Sequence, residues 1–386
     1  MKLFKSLSLL VLLLLPFLAA CKKSVAPPPT EVPPAANYEQ PQGGTTVVAE
    51  TRHFKGSIGS TLGLQMKLLR EAEKLSGTYS YQKVGKKIDV RGTIDKDGNL
   101  VLEEFDAAGK QTGVFTGTWT TNATGLIQLA GNWSKPKSDK KTAFSLHEEP
   151  ISFSGAAEIV AKRITEDNKK LKYEIDVEYP QLTGSNNPNF EKFNQHARAL
   201  VVKKVGDFRK EMAPEEKPAA GDEAIPEPTP ETMGSDLGIG YTVALANDEL
   251  ISIEFSVGAY YSGAAHPNSY SEVLNFDLKN GKVIRLSELF NPGAKYLQAI
   301  ANYSIEDLKK QSKEKDSMLD DDWIQRGASA DEDNYKSWTI SRKGLEINFD
   351  AYQVGPYAAG PQRVFIPYSA LKALIKADGP LHPFLV

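Results

Sequence analysis

The sequence predicts an α+β protein: an N-terminal all-β meander or small barrel, then a domain in which an antiparallel sheet is backed by helices. Three observations predict it. From His53 to Glu149, short alternating segments recur between turn signals spaced about 11 to 15 residues apart. Further on, Phe190, Phe193, Ala197, Leu200, Val201, Val205 and Phe208 recur at three- and four-residue spacing, the period of a helix with one apolar face. Beyond Ile151 strands and helices also come in separate runs, which indicates α+β.

Residues 1–20 read as a lipoprotein signal peptide. Lys2 and Lys5 precede the apolar run Leu7 to Leu18, followed by the small Ala19 and Ala20. That run is about a dozen residues against the roughly 20 that cross a bilayer. Leu18-Ala19-Ala20-Cys21 resembles the lipobox cleaved by bacterial lipoprotein signal peptidase, and Cys21 is the chain's one cysteine, which excludes a disulfide. The resemblance implies lipidation of Cys21 by a diacylglyceryl thioether, commonly with a further N-acyl chain of the palmitate kind. Two or more chains anchor a protein firmly to a lipid membrane. Lys22 stands where aspartate would signal inner-membrane retention, so the expected place is the cell envelope, on the outer membrane facing the periplasm in a Gram-negative host. Loss of Lys2 and Lys5 moves the balance from −3 to −5, 44 basic against 49 acidic residues, which argues against nucleic acid as a partner.

Residues 21–50, with Pro27-Pro28-Pro29 and Pro33-Pro34, form the expected lipidated stalk. At ~3.1 Å per residue it reaches up to ~90 Å. Residues 51–150 form the meander. Leu62, Leu64, Met66 and Leu68 alternate, and Asp97-Gly98 and Ala108-Gly109-Lys110 mark turns. Gly117-Thr118-Trp119 is echoed by Gly131-Asn132-Trp133, which suits the tight corners and plugs of a filled barrel better than a ligand cavity.

Residues 151–212 open with a strictly alternating strand, Tyr173 to Tyr179, ended by Pro180, and continue in the helix after Asn186-Asn187-Pro188. Residues 213–234, rich in Pro and Glu, read as a mobile insertion. In residues 235–386, strands are expected at Gly240 to Leu245, Leu250 to Tyr261, Tyr270 to Asp277, Ser337 to Ser341 and Leu345 to Phe349. Helices are expected at Tyr296 to Gln311 and Tyr368 to Lys376.

The five histidines, at 53, 147, 196, 266 and 382, are too scattered for a metal-ligand motif, and no glycine-rich phosphate loop precedes a helix. No catalytic residue, metal or cofactor is therefore assigned. Asp320-Asp321-Asp322 lacks the spacing of a calcium loop and reads as solvated charge. Two loops concentrate aromatic and polar groups. The first carries Tyr260, Tyr261, Gly263, His266, Pro267 and Asn268, and the second carries Tyr352, Pro356 and Tyr357. Each has two readings: a rigid recognition loop, or a structural turn whose histidine caps carbonyls and whose tyrosines pack in the core. The structural reading is favoured.

Gly263-Ala264-Ala265-His266-Pro267-Asn268, Asn275-Phe276-Asp277-Leu278 and Phe349-Asp350-Ala351-Tyr352-Gln353-Val354-Gly355-Pro356-Tyr357 together resemble the RsiV-like extracytoplasmic domain. Residues 151–212 resemble the PdaC-like companion module that precedes it. The first resemblance implies a receptor, since the naming anti-sigma factor binds lysozyme there. The second implies kinship with deacetylases whose metal-dependent chemistry sits in a separate catalytic domain, and the Asp-Asp and His-x-x-x-His signatures of that domain are missing here. The leading expectation is thus a non-catalytic, membrane-anchored binding module for a lysozyme-like muramidase or peptidoglycan, and not an enzyme. The alternatives are a glycan-modifying or hydrolytic envelope enzyme in which His266 meets a carboxylate, and a structural lipoprotein of envelope assembly.

Overall fold

The computed structural model describes residues 49–81, 86–122, 125–213 and 234–385. The signal peptide, Cys21, all but the end of the stalk and nearly all of the 213–234 insertion lie outside the described residues.

Eight strands close into an antiparallel up-and-down barrel: β1 (Glu50–Ile58), β2 (Leu62–Glu71), β3 (Lys74–Tyr81), β4 (Lys87–Ile94), β5 (Asn99–Phe105), β6 (Gln111–Thr121), β7 (Ile127–Ser134) and β8 (Lys141–Glu149). Closure comes from β1 pairing with β8, His53 opposite Glu149 through Ile58 opposite Phe144. Alternation puts every second side chain inside, as along β5, where Leu100, Leu102 and Glu104 are buried. Phe54, Tyr79, Phe115 and Phe144 fill the interior, and the expected barrel is a packed core. The glycine echo has a steric cause: Gly117 faces Gly131 across β6 and β7, and a Cβ at either would stand 2.2 Å from the neighbouring strand's carbonyl oxygen.

Glu104 is the polar exception inside. Tyr79 Oη donates to its Oε2 at 2.8 Å, Trp133 Nε1 to the same oxygen at 2.9 Å, and Thr112 Oγ1 to Oε1 at 2.6 Å. Three donors make an acidic side chain tolerable where solvent cannot reach it.

A larger sheet follows: β9 (Ile151–Ser152), β10 (Glu158–Asn168), β11 (Tyr173–Thr183), β12 (Ser235–Asn247), β13 (Leu250–Tyr260), β14 (Asn268–Asp277) and β15 (Lys282–Val283). Helix α1 (Pro188–Glu211), capped by Asn187, backs it, burying Phe190, Phe193, Ala197, Val201, Val205 and Phe208. Because α1 returns the chain across one face, β12 joins β11 in parallel. The sheet is therefore antiparallel except for this pair and the short β9–β12 pairing. Pro180 does not end β11, which continues to Thr183. Its pairing with β12 stops at Val177, opposite Ile239, so a residue without an N–H costs no ladder bond on that side.

The remainder packs a second core around α2 (Tyr296–Gln311), α3 (Asp321–Gly327), a three-stranded sheet of β16 (Trp338–Ile340), β17 (Gly344–Phe349) and β18 (Gln362–Pro367), and α4 (Tyr368–Leu371). Helix α4 is shorter than expected, because Lys376 N donates to Leu289 O and draws the chain away. The aspartate run is exposed, as solvated charge should be, and it also starts a helix: Asp320 accepts from Trp323 N and caps α3. A buried relay ties the sheets: Ser252 Oγ donates to Asn275 Oδ1 at 2.6 Å, Ile340 N donates to Ser252 Oγ at 2.9 Å, and Asn275 Nδ2 donates to Trp338 O at 2.9 Å. Among the described residues, no helix is long and apolar enough to cross a membrane.

Candidate functional site

The β13–β14 turn carries the first candidate loop. Gly263 adopts φ 90°, a conformation that a side chain disfavours, and lets Ala264 N close on Tyr261 O at 2.9 Å. The second loop follows β17. There Asp350 reaches back to β14: its Oδ1 accepts from Ser271 N at 2.9 Å and Asn348 Nδ2 at 3.1 Å, and burial raises its carboxyl above the usual range. Tyr352 stands at φ 71° with its carbonyl accepting from Trp323 Nε1 at 2.9 Å.

These anchors make the two loops converge. His266 Nδ1 faces Pro267 O at 2.9 Å and its Nε2 lies 3.2 Å from Tyr352 Oη. A carbonyl can only accept, so Nδ1 carries a hydrogen, and in the neutral ring Nε2 accepts from the tyrosine hydroxyl. Tyr357 stacks on the imidazole with centroids 3.9 Å apart and donates from Oη to Pro267 O at 3.0 Å. Tyr352 is 54% exposed and His266 is exposed, so the pair forms an aromatic, proton-bearing face open to solvent.

The structure thus brings together His266, Pro267, Tyr352 and Tyr357, with Pro356 capping the short turn that begins at Tyr357. Asn268 opens β14 opposite Ala259. Tyr261 turns away: its hydroxyl meets Glu211 and its ring lies 5.7 Å from Phe208, while burial and the Glu211 carboxylate push its pKa to about 12. Tyr260 is half-buried opposite Asp236. The expected encounter of His266 with a carboxylate is replaced by Tyr352, and Asp350 acts two residues away as the staple of the loop. That role was open to reading from Phe349-Asp350-Ala351-Tyr352, since an aspartate after a strand commonly ties a turn. Among the described residues, no group of three His, Cys, Asp or Glu side chains could hold a metal ion.

Comparison with known proteins finds two family models. One, described as Deacetylase PdaC, matches residues 165–269, and one, described as a protein of unknown function (DUF3298), matches residues 287–369. A curated relative, the peptidoglycan-N-acetylmuramic acid deacetylase PdaC of Bacillus subtilis (strain 168), is 24% identical over 213 residues, 55% of this chain and 41% of the relative. The chain therefore spans about two fifths of that relative's length. A solved DUF3298 family member from Bacteroides fragilis matches at 19% identity over 60% of this chain and 98% of its own, with a TM-score of 0.45. Another from Pseudomonas aeruginosa PAO1 matches at 19% identity over 59% and 95%, with a TM-score of 0.39.

These matches correct two expectations. The reading as a non-catalytic binding module, with lysozyme-like muramidases as its ligand, and the reading of the chain as not an enzyme both give way, because the curated relative and the model over residues 165–269 carry the description of a deacetylase.

Proposed function

We propose that this chain is an envelope enzyme that modifies cell-wall glycan by removing acetyl groups from peptidoglycan amino sugars. The observation that carries the reading is that residues 165–269, matched by the model described as Deacetylase PdaC, end on the loop whose His266 meets Tyr352. Hydrolysis adds water across the acetamide C–N bond and releases acetate and a free amine. In this reading His266 Nε2 takes the proton of the attacking water and returns it to the leaving amine. Tyr352 Oη transfers its hydrogen bond to the acetyl oxygen as charge develops there, and the Tyr357 ring holds the imidazole plane. The envelope setting belongs to the same proposal, with Cys21 holding the chain to a membrane through lipid.

The test is acetate release from purified peptidoglycan by the whole chain. His266→Ala is expected to lower the rate by about 100-fold, the scale of one general acid–base group. Release unchanged in His266→Ala, or no release by the parent chain, overturns the reading.

A further inference from the structure

We infer that a second site, at the far end of the β13–β14 ribbon from His266, binds an uncharged saccharide. A cavity of about 600 Å³ opens there, lined by the β12–β13 turn at Glu249, the residues after β14 from Asp277 to Lys282, the start of α2 and the chain near Lys376. That volume suits a small-molecule ligand. Along one wall Phe290 and Tyr296 stack with centroids 4.6 Å apart and planes at 5°, giving a flat, stiff aromatic surface in which Phe290 is buried and Tyr296 half-buried.

The charges around this wall decide the ligand's chemistry. Lys282 meets Glu288 at 3.2 Å, Lys376 meets Asp378 at 3.7 Å and Lys279 meets Glu249 at 3.8 Å. The Asp277 carboxylate is occupied by Asn280, whose backbone N donates at 2.8 Å and Nδ2 at 2.7 Å. An anion entering here would face the carboxylates, and a cation would face the ammonium groups. A neutral molecule with many hydroxyls can hydrogen-bond to both members of each pair and lay its C–H face on Tyr296. That description fits a sugar ring.

This cleft is separate from the His266 face. Leu250 pairs with Asp277 at one end of the ribbon and Ala259 with Asn268 at the other, so the ends are roughly 30 Å apart at the usual rise per residue. The inference deepens the proposed function, and rests on it for the choice of a glycan: the polymer is held at one end of the ribbon and altered at the other.

Calorimetry of the whole chain with chitopentaose tests it. Binding is expected to be insensitive to ionic strength, unchanged in His266→Ala, and weakened about tenfold in Tyr296→Ala. Lys282→Met, at a more exposed position, is expected to weaken it about threefold and decides the matter should Tyr296→Ala fail to fold. Absence of binding, equal binding by whichever variant decides, or loss of binding in His266→Ala overturns the inference. Cleft-dependent binding without acetate release would remove the enzymatic reading and leave the cleft, whereas acetate release without such binding would do the reverse.

Discussion

Lys55 of the barrel places its ammonium 2.8 Å from Glu178 Oε1 in the large sheet, donates to Tyr241 O at 2.9 Å, and stands 3.7 Å above the Tyr241 ring. Both side chains of this ion pair are only 11% exposed, so the barrel is joined to the sheet by a charge that water barely screens. Lys55→Met is expected to cost about 3 kcal/mol, because Glu178 is left buried without its partner, and Lys55→Met with Glu178→Gln should recover much of that. Urea unfolding, followed separately by barrel and sheet probes, checks it; coincident transitions of unchanged midpoint in Lys55→Met would contradict it.

A pH dependence is built into the same junction. Glu149 is 4% exposed, and burial raises its pKa from 4.5 to about 7, despite the nearby Lys55. The folded state therefore holds this proton more tightly than the unfolded chain. Its contribution to stability is fully present below about pH 4.5 and falls as pH rises through about 7. Glu149→Gln should stabilise the chain above about pH 7, by up to about 3 kcal/mol, and remove the loss that develops between about pH 4.5 and pH 7. His53, paired opposite, runs the other way: burial and Lys67 lower it to about 4, so the stability it contributes is lost as pH falls below 6.5. Denaturant midpoints across that range separate the two.

Inside the barrel, Glu104→Ala strands the donors of Tyr79, Trp133 and Thr112. A loss of about 3 kcal/mol is expected, with Glu104→Gln costing less because its carbonyl still accepts. Thermal denaturation read by tryptophan fluorescence gives both values, and a Glu104→Ala variant as stable as its parent would be inconsistent with the network.

The proposed lipid anchor makes one sharp demand. Incorporation of labelled palmitate in cells should disappear in Cys21→Ser, with the protein moving from the membrane to the soluble fraction. Retention in the membrane by Cys21→Ser would rule the anchor out.

Local features were the legible part of the sequence. The stripe ending at Phe208 gave α1, the bounds of α2 were read at both ends, and alternation with glycine turns gave the barrel. Misjudged features depend on partners distant in the chain. Pro180 reads as a stop unless one knows that β12 leaves that edge unpaired, and Ile375 stays in a helix unless its bridge to Phe290 is known. Asp320 was within reach, being an acidic N-cap before an acidic first turn. The site was half visible: both loops stood out by composition, but His266 and Tyr352 lie 86 residues apart, and bonds between distant residues, such as Ser271 to Asp350 and Tyr357 to Pro267, bring them together. Favouring the structural reading suits Tyr261, which packs on α1, and His266, which caps the Pro267 carbonyl, but not the exposed Tyr352.

The β13–β14 ribbon acts as a ruler. Its ladder of backbone hydrogen bonds, and no adjustable loop, sets the distance between the His266 face and the Tyr296 cleft. If both proposed sites take glycan, an oligosaccharide shorter than that span touches one or the other, and a longer one engages both at once. Discrimination by glycan length then follows from strand rise alone, with no residue dedicated to measuring it.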